Sequence, residues 1–279
     1  MIDAGKVAEI LTDRFGVPMV GKASDDANGQ WVHFFPRDIP HTQGFQINVL
    51  IGWKTVEADF TPASYAKPLL SEMAAADAEK RSLFQAFVQA SMQAGADVVL
   101  RINDEKVDPL TADCWPSVWN SLSLRLVKSP IEIDGKNPDA MQELALSWSI
   151  RIFGCVLSMM PLEPVSHEPA GEGEGGGRQA LITRFERSEI NRVACIEIHG
   201  TRCKVCDFDF EKVYGTIGAG FIEVHHVELL ARLAPDTVLN PAIDLVPLCA
   251  NCHSMAHKRR PQPYSVEDLK AMIQTNRRQ

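Results

Sequence analysis

The chain has 279 residues, 45% of them hydrophobic and 23% charged, the composition of a soluble globular protein with room for one large domain or two ordinary ones. A formal net charge of −8 argues at first sight against nucleic acid as a partner, but the charge is unevenly spread. Residues 1 to 177 carry 14 Lys and Arg against 24 Asp and Glu, a net of −10, whereas residues 178 to 279 carry 14 against 12, a net of +2. The acidity belongs to the front, and Lys258-Arg259-Arg260 and Arg277-Arg278 offer the tail cationic groups for phosphate. Solvated surface is the plainer reading of the terminal pair.

In chain order, Met1 to Leu11 places Asp3, Lys6 and Glu9 where a secretory signal would need an apolar core. Ile2, Val7, Ile10, Leu11 and Phe15 recur at helical spacing, and Phe45, Ile47, Val49, Ile51 and Trp53 alternate as one face of a strand. Residues 69 to 94 read as helical, 97 to 102 as extended, and Trp119 to Val127 as extended with Leu122, Leu124 and Leu126 on one face. A helix from about Asp139 to Met159, started by Pro138, closes a mixed α+β domain over residues 1 to 160. The apolar stretch Leu144 to Leu162 contains Arg151 and several serines, so it reads as a buried helix rather than a membrane span. All five tryptophans (Trp31, Trp53, Trp115, Trp119, Trp148) lie in this region; ordinary core packing is the first explanation, and an aromatic pocket for a flipped base the second.

Pro161 to Gly177 (PLEPVSHEPAGEGEGGG) has no apolar period and is rich in Pro, Gly and Glu, so a flexible linker is expected there, with a second domain over 178 to 279. That domain holds two C-x-x-C pairs, Cys203/Cys206 and Cys249/Cys252, 42 residues apart. Paired knuckles brought together from distant points are what tetrahedral zinc requires, and one ion would clamp a small domain with little core. The other three cysteines, Cys114, Cys155 and Cys195, make an odd remainder that fits a reducing compartment, so the cytoplasm is the expected location. Four of the eight histidines, His225, His226, His253 and His257, fall within 33 residues, and the last two are four apart, on one face of a helix. Neutral imidazoles converging from a strand end and a helix suit a divalent cation.

The segments GFIEVHH, ending at His226, and DLVPLCANCHSMAH, from Asp244 to His257, resemble the HNH (ββα-metal) endonucleases, in particular the zinc-knuckle subgroup of modification-dependent restriction enzymes. The resemblance covers roughly Arg192 to Ile273 and does not reach residues 1 to 160. It implies a small zinc-stabilised nuclease domain that hydrolyses phosphodiester bonds of DNA, in bacterial restriction or anti-phage defence. It makes His226 the general base, and His225, His253 and His257 the ligands of a catalytic divalent ion, with Mg, Mn and Ni all open. Cys203, Cys206, Cys249 and Cys252 would hold a separate structural zinc. Asp244 stands near the place of the family's middle Asn, with Asn240 four residues earlier, and either can orient the loop that carries the base. Since neighbours on a flat strand face opposite ways, the His225-His226 doublet is expected where the strand gives way to a loop around Glu228-Leu229-Leu230. Glu223 reads as a surface strand residue, with a role as partner of His225 as the alternative. Lys258, Arg259 and Arg260 are candidate DNA contacts. No membrane partner is expected, and residues 1 to 160 are left for recognition, for defence-system proteins, or for autoinhibition by acidic mimicry of phosphate. In the last case removal of residues 1 to 177 would raise cleavage. Two other functions fit the same residues: a zinc-stabilised DNA-binding or adaptor module without turnover, and an RNA-cutting toxin on the same scaffold.

Overall fold

A computed structural model describes residues 1–39, 42–132, 137–160, 190–227, 239–259 and 262–276. By internal contacts the chain divides into Met1–Ile190 and Asn191–Gln279. The expected linker at 161 to 177 lies outside the described residues.

The first unit is built on a seven-stranded, wholly antiparallel sheet in the order β1-β2-β3-β4-β7-β5-β6. Its strands are β1 (Met19–Asp26), β2 (Gly29–Pro36), β3 (Phe45–Ile51), β4 (Val56–Pro62), β5 (Asp97–Ile102), β6 (Glu105–Val107) and β7 (Leu122–Lys128). Period-two burial puts Val32, Val49, Ala58 and Leu126 in one cross-strand row on the core face, each with no more than a trace of exposure. The core helices are α1 (Ala4–Phe15), α3 (Ala78–Gln93) and α4 (Pro138–Ser158), with the short α2 (Lys67–Ala74) ahead of α3.

Local chemistry sets the helix ends. Asp3 caps α1 by accepting the Lys6 N–H, Gly16 ends it at φ 71°, and Asn137 caps α4 by accepting the N–H groups of Asp139 and Ala140. Helix α4 is buried on most of its circumference. It passes so close to α3 that a Cβ on Gly154 would lie 2.2 Å from a ring carbon of Phe87. No described helix is long and apolar enough to cross a membrane.

The mixed α+β class is found, with three local differences from expectation. The helical stretch at 69 to 94 is two helices, broken at 75–77, where the Asp77 side chain caps α3 and the Arg81 guanidinium donates to the carbonyls of Ala74, Ala76 and Ala112. Trp53 continues the alternation of β3 in sequence but lies in the turn beyond it, 86% exposed. Trp115, Trp119 and Trp148 are core residues, while Trp31 is only partly buried.

The second unit contains α5 (190–199) from its second residue on, α6 (Phe210–Tyr214), β8 (Glu223–His226), β9 (Leu245–Leu248), α7 (Ala250–Ala256) and α8 (Val266–Asn276). Strands β8 and β9 form an antiparallel pair, and α7 follows β9 after one residue, a strand–strand–helix order. The principal core cluster is Cys203, Val205, Ile222, Leu248, Cys249, Cys252, Ala256 and Leu269.

Candidate metal centres

Two short elements bring the four knuckle cysteines together. The turn at 203–207 is closed by the Asp207 N–H donating to the Cys203 carbonyl, with Asp207 at φ 59°. Its neighbour Lys204 donates its backbone N–H to the Pro247 carbonyl of β9, so the first knuckle is tied to the strand that leads into the second. Cys249 is the N-cap of α7 and Cys252 lies in its first turn. The four sulfurs all fall within 4.8 Å of one another, with Cys206 Sγ and Cys249 Sγ 3.7 Å apart. Tetrahedral zinc with Zn–S bonds of about 2.3 Å separates its sulfurs by about 3.8 Å, so the arrangement fits the ion. None of the four is in a disulfide. Burial pushes the Cys206 and Cys252 thiols up, whereas at Cys203 hydrogen bonds from the backbone N–H groups of Cys249, Cys206 and Val205 outweigh burial and pull the thiol down. Four thiols this close together cannot all carry charge unless a cation offsets it.

A second cluster stands apart from the first in residue type. His225 from β8, His253 from α7 and His257 at the C-cap of α7 place one ring nitrogen each within a common 4.8 Å. Their ring centroids are 4.9 to 5.1 Å apart, with planes crossed at 73° to 84°. His225 is buried, and its pKa is lowered to about 4, first by burial and then by the neighbouring imidazoles. It is neutral at pH 7, the form in which a histidine ligates metal. Glu223, on the same side of β8 by the two-residue period, sets a carboxylate oxygen 2.5 Å from His253 Nδ1, which leaves Nε2 of that ring to turn elsewhere. The alternative reading of Glu223 named the wrong imidazole. Both histidine and glutamate lie where β8 meets α7, a contact that spacing within β8 does not reveal.

The doublet occupies the last two positions of β8, paired with Val246 and Leu245, so the strand ends at His226. His225 points inward and His226 is partly exposed. Glu228, Leu229 and Leu230 lie outside the described residues. Asp244 and Asn240 both act on this strand end. The Asp244 carboxylate accepts the Asn240 N–H at 2.7 Å, the Asn240 side chain accepts the Ala242 N–H at 3.0 Å, and the Asp244 carbonyl accepts the N–H of Val227, the residue after His226, at 2.9 Å. Nearby, the Arg192 guanidinium donates to the Ile222 carbonyl at the entry to β8.

Of the cationic run, Lys258 is exposed and Arg260 lies outside the described residues. Arg259 donates to the carbonyls of Gln262 and Pro263 and covers the Tyr264 ring at 4.4 Å, which fixes the approach to α8. Compared with protein-family models, with curated proteins and with solved structures, the chain finds no match in any of the three.

Proposed function

We propose that the second unit is a metal-dependent DNA endonuclease or nickase of the HNH kind. The observation that carries this reading is the convergence of three imidazoles, one buried and neutral, beside a fourth at an exposed strand end, all apart from a four-thiol set of zinc-like geometry. Phosphodiester hydrolysis needs a proton removed from water, charge offset on the phosphoryl oxygens, and the leaving oxygen neutralised.

His225, His253 and His257 would hold a divalent ion, which when bound supplies electrostatic stabilisation of the phosphate and the leaving oxygen. His226 would take the proton of the attacking water on an imidazole nitrogen. The Asn240–Asp244 turn would keep His226 in position through the Val227 N–H, and Glu223 would fix the tautomer of His253. The four cysteines would hold structural zinc that clamps the knuckle turn to the start of α7. A role in bacterial restriction or anti-phage defence rests on the sequence resemblance alone.

The test is cleavage of supercoiled plasmid by zinc-loaded wild type and His226→Ala, with Mg²⁺, Mn²⁺ and Ni²⁺ supplied separately. Conversion to open-circle or linear DNA that depends on added metal and falls by about 10² to 10⁴-fold in the variant is the expected result. Cleavage by neither protein, from plasmids with and without modified bases, would overturn the nuclease reading and leave a zinc-stabilised binding module.

A further inference from the structure

The sheet of the first unit buries one face. On the other face the cross-strand row Lys22, His33, Asn48, Asp59 and Arg125 runs in register over β1, β2, β3, β4 and β7. Along β2 this face presents three rings two residues apart, Trp31, His33 and Phe35, all partly exposed, and Leu50, opposite Trp31, is buried. We infer that this open face, along β2, is a docking platform for the unpaired bases of single-stranded DNA.

Stacking carries the first part of the argument. Every base has a π-face, so a file of rings binds bases with little regard to sequence. The rings of Trp31 and His33 lie within 8° of parallel with centroids 5.8 Å apart. They are held in place from several directions. His33 is fixed between the Ser24 hydroxyl at 3.1 Å and the Asn48 side-chain oxygen at 2.8 Å, and the Trp31 ring stacks along it. Rings fixed before binding lose little freedom when a base arrives.

Charge and hydrogen-bonding groups carry the second part. Two cations flank the file, each over an aromatic ring: Lys22 Nζ is 5.2 Å from the centre of Phe35, and Lys54 Nζ is 4.6 Å from the centre of the exposed Trp53. Trp53 and Lys54 belong to the β3–β4 turn, at the Trp31 end of the file. Phosphates passing either end of the rings would meet these ammonium groups. Gln46 and Asn48 add amide edges beside His33. The acids of this face are engaged within the sheet: Asp59 by Asn48 and Thr61, Glu57 by Arg125, and Asp26, one strand from the file in β1, by the N–H groups of Asn28 and Gly29. The choice of DNA over RNA rests on the function proposed for the second unit.

The test uses the full chain, without added divalent cation, and a fluorescent 12-mer oligodeoxynucleotide carrying 5-bromodeoxyuridine. Photo-cross-links should map to the peptide that contains Trp31, His33 and Phe35. Trp31→Ala should weaken binding about ten- to a hundredfold, and Trp31→Phe, which keeps a ring, should largely restore it. Cross-links confined to residues beyond 190, with Trp31→Ala binding unchanged, would overturn the platform whatever the cleavage assay gives. Cross-linking of the matching oligoribonucleotide alone would overturn DNA as its occupant. Plasmid cleavage without any oligonucleotide bound at β2 would leave the nuclease reading standing and the platform refuted.

Discussion

Phe34, Phe60, Phe87, Phe153, Leu11 and Ile47 are among the largest side chains fully withdrawn from solvent, and all belong to the first unit. In the second unit the principal cluster has eight buried residues, of which three are cysteines. A seven-stranded sheet with three long helices excludes enough apolar surface to hold itself together; a unit whose described residues form two short strands and a few helices of at most eleven residues does not. The second unit instead gathers its polar ligands at the places where an apolar core would otherwise have to close it. Fold stability in the first unit should therefore depend on shape, and in the second on coordination chemistry.

Removing one knuckle thiol is the harshest way to break that contrast. Cys249→Ser should lower the zinc content and open residues 191–279 to limited proteolysis, while the unfolding transition of residues 1–190 stays where it was. The expected loss is on the order of 10 kcal/mol, the scale of structural zinc binding. One zinc per chain and an unchanged proteolytic pattern would refute it. The same chemistry has a milder readout in thiol labelling. In the zinc-loaded chain a maleimide should react at the exposed Cys114 first, because burial holds the Cys155 thiol high and pushes Cys195 up to about 12. Chelation should then add the four knuckle thiols.

Shape is tested at Gly154. Gly154→Val forces side-chain carbons onto the Phe87 ring and should destabilise the first unit by about 2 to 3 kcal/mol, read as a thermal shift with zinc content unaltered. Glu223→Gln should leave both unfolding transitions alone yet weaken binding of a divalent ion at His225, His253 and His257 about ten- to a hundredfold, measured by metal titration of the zinc-loaded chain. The smallest expected effect is Asn240→Ala, which removes one side-chain acceptor from the turn behind His226 and should cost the second unit about 1 kcal/mol by chemical denaturation.

The regions differ in legibility as well. Helices α1 and α4 and strands β5 and β7 could be placed from periodicity and caps, since their core faces are written in consecutive residues. Strands β1, β2 and β4 escaped, because Met19–Asp26 and Val56–Pro62 put Lys, Ser, Asp and Glu on their outward face, with Gly21 on the core face against α1, and become strands through cross-strand pairing. Trp53 shows the reverse error: it keeps the β3 alternation but a turn at 52–55 removes it from the sheet.

By itself the sequence determined which chemistry is available: paired thiols at knuckle spacing, four histidines in a short span, an acidic front and a mildly basic tail. Those properties reside in residue type and short-range spacing, which the chain carries whether folded or not. Only the tertiary structure decided that Glu223 meets His253, that Asn240 and Asp244 act together on the end of β8, and that Trp31, His33 and Phe35 share one partly exposed face of the sheet. Each of these depends on residues from separate elements meeting in space, and strand register and helix packing are set by cooperative burial over the whole unit, which no local spacing encodes.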